Sequence, residues 1–143
     1  YQDATLVLAG RDSTSPFALA LVNAFGGGRI ELMGWVDNVS DFYNNTSLYV
    51  QPSVSEGFGI EVLEATAFSR PVLCSMGAGA SDVLSGNSYL FSPRNVEELA
   101  EKIHQAKTLW NLQEIGENNR KIAEGCTWNI VRSKYVQTWR ELL

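Results

Sequence analysis

Two carboxylates, Glu56 and Glu64, bracket the segment in which residue types and spacing could do chemistry. The segment reads Pro52-Ser53-Val54-Ser55-Glu56-Gly57-Phe58-Gly59-Ile60-Glu61-Val62-Leu63-Glu64-Ala65. Gly57 and Gly59 carry no Cβ, so the backbone there can come close to a ligand. Gly59 and Ile60 open a helical pattern, and the free N–H groups and dipole of a helix start form an anion site. A phosphate bound there needs no basic side chain from this loop. Glu64 is surrounded in sequence by Ile60, Val62, Leu63, Ala65, Ala67 and Phe68. A carboxylate off a clean polar face calls for a partner. Two vicinal hydroxyls of a ribose would serve, since an ionised carboxylate accepts from both, and Glu56 could serve sugar hydroxyls in the same way. The residues alone leave a plainer reading open. Glu56 is then an acid favoured by the helix dipole, and Glu64 a surface residue.

Short aliphatic runs alternating with helical patterns would position this loop. Strands are expected at Thr5–Ala9, Ile30–Met33, Ser47–Gln51, Pro71–Ser75 and Tyr89–Phe91. Thr5–Ala9 reads as a buried strand ended by Gly10. Ser15 and Pro16 suit the cap and first position of a helix running through Phe25, which Gly26-Gly27-Gly28 stops. Asp37–Asn45 reads as a short helical turn, Gly59–Phe68 as a helix, and Ser81–Leu84 as one further turn. From Asn95 the chain is helical. Val96, Leu99, Ala100, Ile103 and Ala106 share one face, and a second helix covers Leu112–Glu124. A third starts from a Thr127 cap, with Trp128, Val131, Tyr135, Trp139 and Leu142 on a stripe that reads as core packing. The pattern predicts one α/β domain over residues 1–143. It is Rossmann-like and doubly wound, with a mostly parallel sheet, helices on both faces and a helical C-terminus. In such sheets ligands bind beyond the carboxyl ends of the strands.

Composition narrows the function classes. The chain has 143 residues, 45% hydrophobic and 19% charged, which fits a folded globular protein. A net charge of −5 with scattered Lys and Arg argues against nucleic acid as a partner. No run is long and apolar enough for a transmembrane segment, and Asp3 stands where a signal peptide needs positive charge. Cys74 and Cys126 have no metal or disulfide spacing, which fits a reducing, cytoplasmic setting. Asn38, Asn44 and Asn45 lie in glycosylation-like triplets that read as turn and cap chemistry. Gly77–Asp82 mimics a dinucleotide fingerprint but lacks its last glycine and a following helix of proper length. His104, the sole histidine, falls on the charged face of its helix and reads as exposed.

The segment Pro52–Ala65 resembles the E-x7-E region of glycosyltransferase family 4, with Pro52, Ser53, Glu56, Gly57, Phe58, Gly59, Leu63, Glu64 and Ala65 in register. Leu6–Gly10, Met33-Gly34-Trp35-Val36, Pro71-Val72-Leu73, Tyr89–Pro93 with Val96–Ala100, and Thr127-Trp128 resemble further segments of that family. The resemblance implies the C-terminal, donor-binding domain of a two-domain, retaining GT-B glycosyltransferase. It implies that Glu56 touches the donor sugar, as a donor-site residue first and a catalytic one second, with N–H groups of Gly57, Phe58 and Gly59. Ile60 would donate its N–H to the diphosphate, Glu64 would hold the ribose, and the backbone near Val36 would meet the base. Gly10 and Arg11 lie near the expected nucleotide site. The donor would be a nucleotide-diphosphate sugar, with no cofactor and no metal. A sugar or lipid-linked acceptor would sit on a missing N-terminal domain, with the full-length enzyme at the cytoplasmic face of the membrane.

The chain departs from the pattern at Ser69-Arg70, where the family has Gly-x, at Thr66 for Met and at Asp82 for Glu. The family's first strand, ending in a G-R-x-x-x-K-G loop, has no counterpart before Thr5. Thr5–Ala9 and Ser47–Gln51 should then flank an empty slot. Three outcomes follow: a larger parent fills it, another chain fills it by self-association, or the two strands pair directly. The isolated chain is expected to be inactive. A nucleotide-sugar binder without activity is the competing reading. An epimerase is poorly served by one exposed histidine, and a phosphorylase by the lack of any lysine before Lys102.

Overall fold

The aliphatic runs form parallel strands, each followed by a turn and a helical segment. The computed structural model describes residues 4–25, 29–84 and 89–143. They fall into two compact units, one ending at Phe42 and one beginning at Tyr43.

In the first unit β1 (Leu6–Ala9) pairs in parallel with β2 (Ile30–Gly34). Gly10 follows β1 with φ 119°, which a side chain would resist, and a 3₁₀ turn covers Arg11–Thr14. Ser13 Oγ donates to Gly10 O at 2.8 Å and accepts from Gly34 N–H at 2.9 Å, tying the ends of both strands together. α1 (Pro16–Phe25) starts where Pro16 predicts, and Ser15 Oγ accepts from Ala18 N–H at 3.3 Å as its cap. The glycines 26–28 expected to stop it lie outside the described residues. α2 (Val39–Asn44) follows, its last two residues belonging to the second unit, with Asn38 Oδ1 accepting from Asp41 N–H at 3.2 Å, the cap chemistry read for Asn38.

The second unit holds a parallel sheet of order β3-β4-β5: Tyr49–Gln51, Val72–Ser75 and Leu90–Phe91. β4 is central and all four of its residues are buried, so its continuous apolar run is explained. Burial pushes the Cys74 thiol up to about 11. α3 (Ile60–Ala67) leads from β3 back towards β4 and packs on α5 (Leu112–Glu124). Two contacts set that packing. A Cβ on Gly116 would collide with Ser69 O, and buried Asn119 donates through Nδ2 to Arg70 O at 2.9 Å. Between them they hold the turn in which Ser69 takes φ 57°, the left-handed conformation for which the family pattern has glycine. α4 (Val96–Thr108) is capped by Asn95, and Glu98 reaches back to Ser92 N–H at 2.9 Å. That hydrogen bond holds the Glu98 carboxyl below the usual range.

Three expectations need correction. β1 is mostly exposed rather than buried, with Leu6 52% accessible. Among the described residues its two-stranded sheet gives it β2 alone as a hydrogen-bonded neighbour, and an apolar run does not by itself ensure cover on a strand's faces. The stripe on α6 (Trp128–Leu142) is not core: no residue of this helix is buried, and Trp128 and Trp139 are 83% and 66% accessible. Helical period decides which side chains share a face, not what covers it. Thr127 precedes α6 without a side-chain capping bond. Within the units β1 pairs with β2, and β3 with β4. No helix among them is long and apolar enough to cross a membrane.

Candidate donor site

The loop Pro52–Gly59 leaves the carboxyl end of β3 in the second unit and delivers the chain to α3. A relay of side chains steadies its start: Tyr49 Oη donates to Gln51 Oε1 at 2.7 Å, and Gln51 Nε2 donates to Ser53 Oγ at 2.9 Å. Its centre is sewn to the segment after β4. Glu56 N–H donates to Gly77 O at 2.9 Å and Ala80 N–H to Phe58 O at 2.7 Å, with a parallel bridge between Glu56 and Ala78. The approach is so close that a Cβ at Gly77 would lie 2.8 Å from Ser53 O, and one at Gly79 would overlap Gly57 O. Gly77-Ala78-Gly79 therefore packs against the loop as backbone on backbone. Sequence reading missed this role, because paired glycines after a strand do not reveal which backbone comes near.

Within the loop Glu56 is exposed and its Oε1 accepts from Gly57 N–H at 2.9 Å. Gly59 takes φ 85° and ψ 68° as the residue before α3, a left-handed turn that suits glycine. Phe58 and Ile60 are 39% and 59% accessible, while Gly59 between them is buried. Glu64 lies further along α3 and is half-buried. Its Oε2 accepts from Tyr43 Oη at 3.0 Å. Tyr43 is 3% accessible, and burial, reinforced by the Glu64 charge, raises its pKa well above the ordinary phenol range. Its hydroxyl therefore keeps its proton and can donate it to Glu64, the partner a carboxylate in this setting calls for.

Glu56, Gly57, Phe58, Gly59, Ile60 and Glu64 are gathered in the second unit. Gly10, Arg11 and Val36 belong to the first. There Arg11 is exposed with its guanidinium 5.9 Å from the Trp35 ring centroid, a cation–π contact. Gly10 and Arg11 border a concavity of about 520 Å³. Val36 is half-buried and His104 exposed.

With this geometry in view, the sequence profile described as "Glycosyl transferases group 1" matches residues 1–108. The chain belongs to that family. An uncharacterized glycosyltransferase of Methanocaldococcus jannaschii is 35% identical over 104 residues, covering 69% of this chain and 30% of that protein. Among solved structures, a glycosyltransferase from Rickettsia africae superposes with a TM-score of 0.83 at 20% identity, covering 97% of this chain and 40% of that one. Anabaena HepE in complex with UDP-glucose superposes with a TM-score of 0.76 at 19% identity, covering 96% and 41%. The group 1 chain therefore has the Rossmann-like fold of a GT-B glycosyltransferase C-terminal domain. It spans well under half the length of each of these three proteins.

Proposed function

We propose that the second unit binds a nucleotide-diphosphate sugar and serves as the donor half of a family 4-like, retaining glycosyltransferase. The observation that carries this reading is the loop Glu56–Gly59 at the carboxyl end of β3, opening a helix that bears Glu64. Glu56 meets donor-sugar hydroxyls, aided by N–H groups of Gly57, Phe58 and Gly59. A sugar hydroxyl can donate to Glu56 Oε1 beside its present bond from Gly57 N–H, or in place of it. The Ile60 N–H and the positive end of the α3 dipole favour the diphosphate. Glu64 accepts from ribose hydroxyls. Gly10, Arg11 and Val36 belong to the first unit, and the reading does not depend on them.

The transfer needs no resident metal in this reading, and the acceptor is held outside these 143 residues. Because HepE is seen with UDP-glucose, UDP and UDP-glucose are the first probes. Calorimetric titration of the chain with UDP, GDP, ADP and UDP-glucose, in EDTA and in magnesium, should show one nucleotide bound in both. The chain alone should transfer little or no sugar. Absence of all nucleotide binding would overturn the donor-site reading. Robust transfer by the 143-residue chain would overturn the division of labour.

A further inference from the structure

Tyr43 is read by sequence only as part of a short helical turn, yet its hydroxyl donates a hydrogen bond to Glu64. Its ring is held on two sides, stacked on Phe68 at 5.4 Å between centroids and set edge-on to Tyr49 at 5.9 Å. The hydroxyl has one hydrogen and two acceptors in reach: Glu64 Oε2 at 3.0 Å and Glu61 O at 3.2 Å. The carboxylate is the nearer and the charged one, so it is the stronger acceptor. A glutamate side chain otherwise has several rotamers to lose when a ligand orders it.

We propose that Tyr43 is a positioning residue for the donor. By donating to Glu64 Oε2 it fixes the carboxylate in advance and leaves Oε1, with the second lone pair of Oε2, for the ribose hydroxyls. This rests on the reading of Glu64 as the ribose ligand. Neither ring contact involves the hydroxyl, so Tyr43→Phe keeps the packing and removes one donor. The Tyr43 proton stays in place at working pH, because burial and the neighbouring carboxylate both oppose its loss.

The test measures dissociation constants for UDP, GDP and ADP, and then for the 2′,3′-dideoxy counterpart of the tightest. These are compared between wild type, Tyr43→Phe, Glu64→Ala and the double variant, with thermal melting of each. Tyr43→Phe should weaken the ribonucleotide by about fivefold to tenfold and leave the dideoxy nucleotide unchanged within about twofold. Added to Glu64→Ala, it should cost nothing further. Equal loss for both nucleotides, or loss for neither, would show that Tyr43 only packs. If Glu64→Ala keeps the full preference for ribose, the ribose reading itself fails and the proposal falls with it. If Glu64→Ala abolishes that preference and Tyr43→Phe does not alter it, only the role of Tyr43 is lost. Failure of every nucleotide to bind wild type overturns both.

Discussion

Replacing Gly79 with alanine probes the seam beneath the donor loop. Its new Cβ would fall inside the contact distance of Gly57 O and 3.3 Å from Phe58 Cα. Carbon and carbonyl oxygen rest at roughly 3.3–3.6 Å, so the two backbones must part by about 1 Å. Parting stretches the 2.7 Å bond from Ala80 N–H to Phe58 O and the 3.4 Å bond from Gly79 N–H to Glu56 O. Gly79 has no positive φ, so the cost comes from overlap and lost hydrogen bonds rather than from backbone conformation. Overlap of this kind costs about 1–3 kcal/mol, and at roughly 3 °C per kcal/mol the melting temperature should drop by about 3–10 °C. The displaced atoms carry Glu56 and the N–H groups assigned to the sugar, so UDP-glucose affinity should fall by at least about tenfold, or 1.4 kcal/mol. Gly57→Ala is the matched control, since a Cβ there meets nothing within 4 Å and should leave the melting temperature unchanged. Differential scanning calorimetry and titration read both quantities. A Gly79→Ala variant with wild-type melting and wild-type affinity would refute the close apposition of the two loops.

Glu64→Gln should weaken nucleoside diphosphate binding by more than about tenfold, roughly 1.4 kcal/mol, because the uncharged amide accepts less strongly. Unchanged affinity by calorimetry would remove Glu64 from the ribose. Gly59→Val should damage both binding and folding: φ 85° strains a β-branched residue by about 1–3 kcal/mol. A valine variant with normal melting and normal binding would show that the helix start is not the anion site. Ser69→Gly should raise the melting temperature by about 1.5–3 °C, or roughly 0.5–1 kcal/mol, by relieving φ 57°. A lower melting temperature would mean that the serine side chain supports the turn.

What sequence alone determined is what short-range physics writes into it. Ser15 and Pro16 begin α1 because capping and fixed φ act within one turn. The range Leu112–Glu124 follows from side-chain period and is the helix observed. The spacing of Glu56, Gly57, Gly59 and Glu64 around a helix start was legible for the same reason, and with it the family. Tertiary structure decided the pairings that join distant positions. Tyr43 reaches Glu64 across 21 residues of sequence, and Gly79 slides under the Gly57 carbonyl because Gly79 carries no Cβ. Neither contact leaves a periodic trace, since one hydroxyl or one missing methyl suffices. Burial was decided there too: two apolar runs of similar appearance, Leu6–Ala9 and Val72–Ser75, end as an exposed strand and a sealed one. A side chain's apolar character sets how much free energy burial can release, but only the neighbours brought by the fold determine whether it is buried.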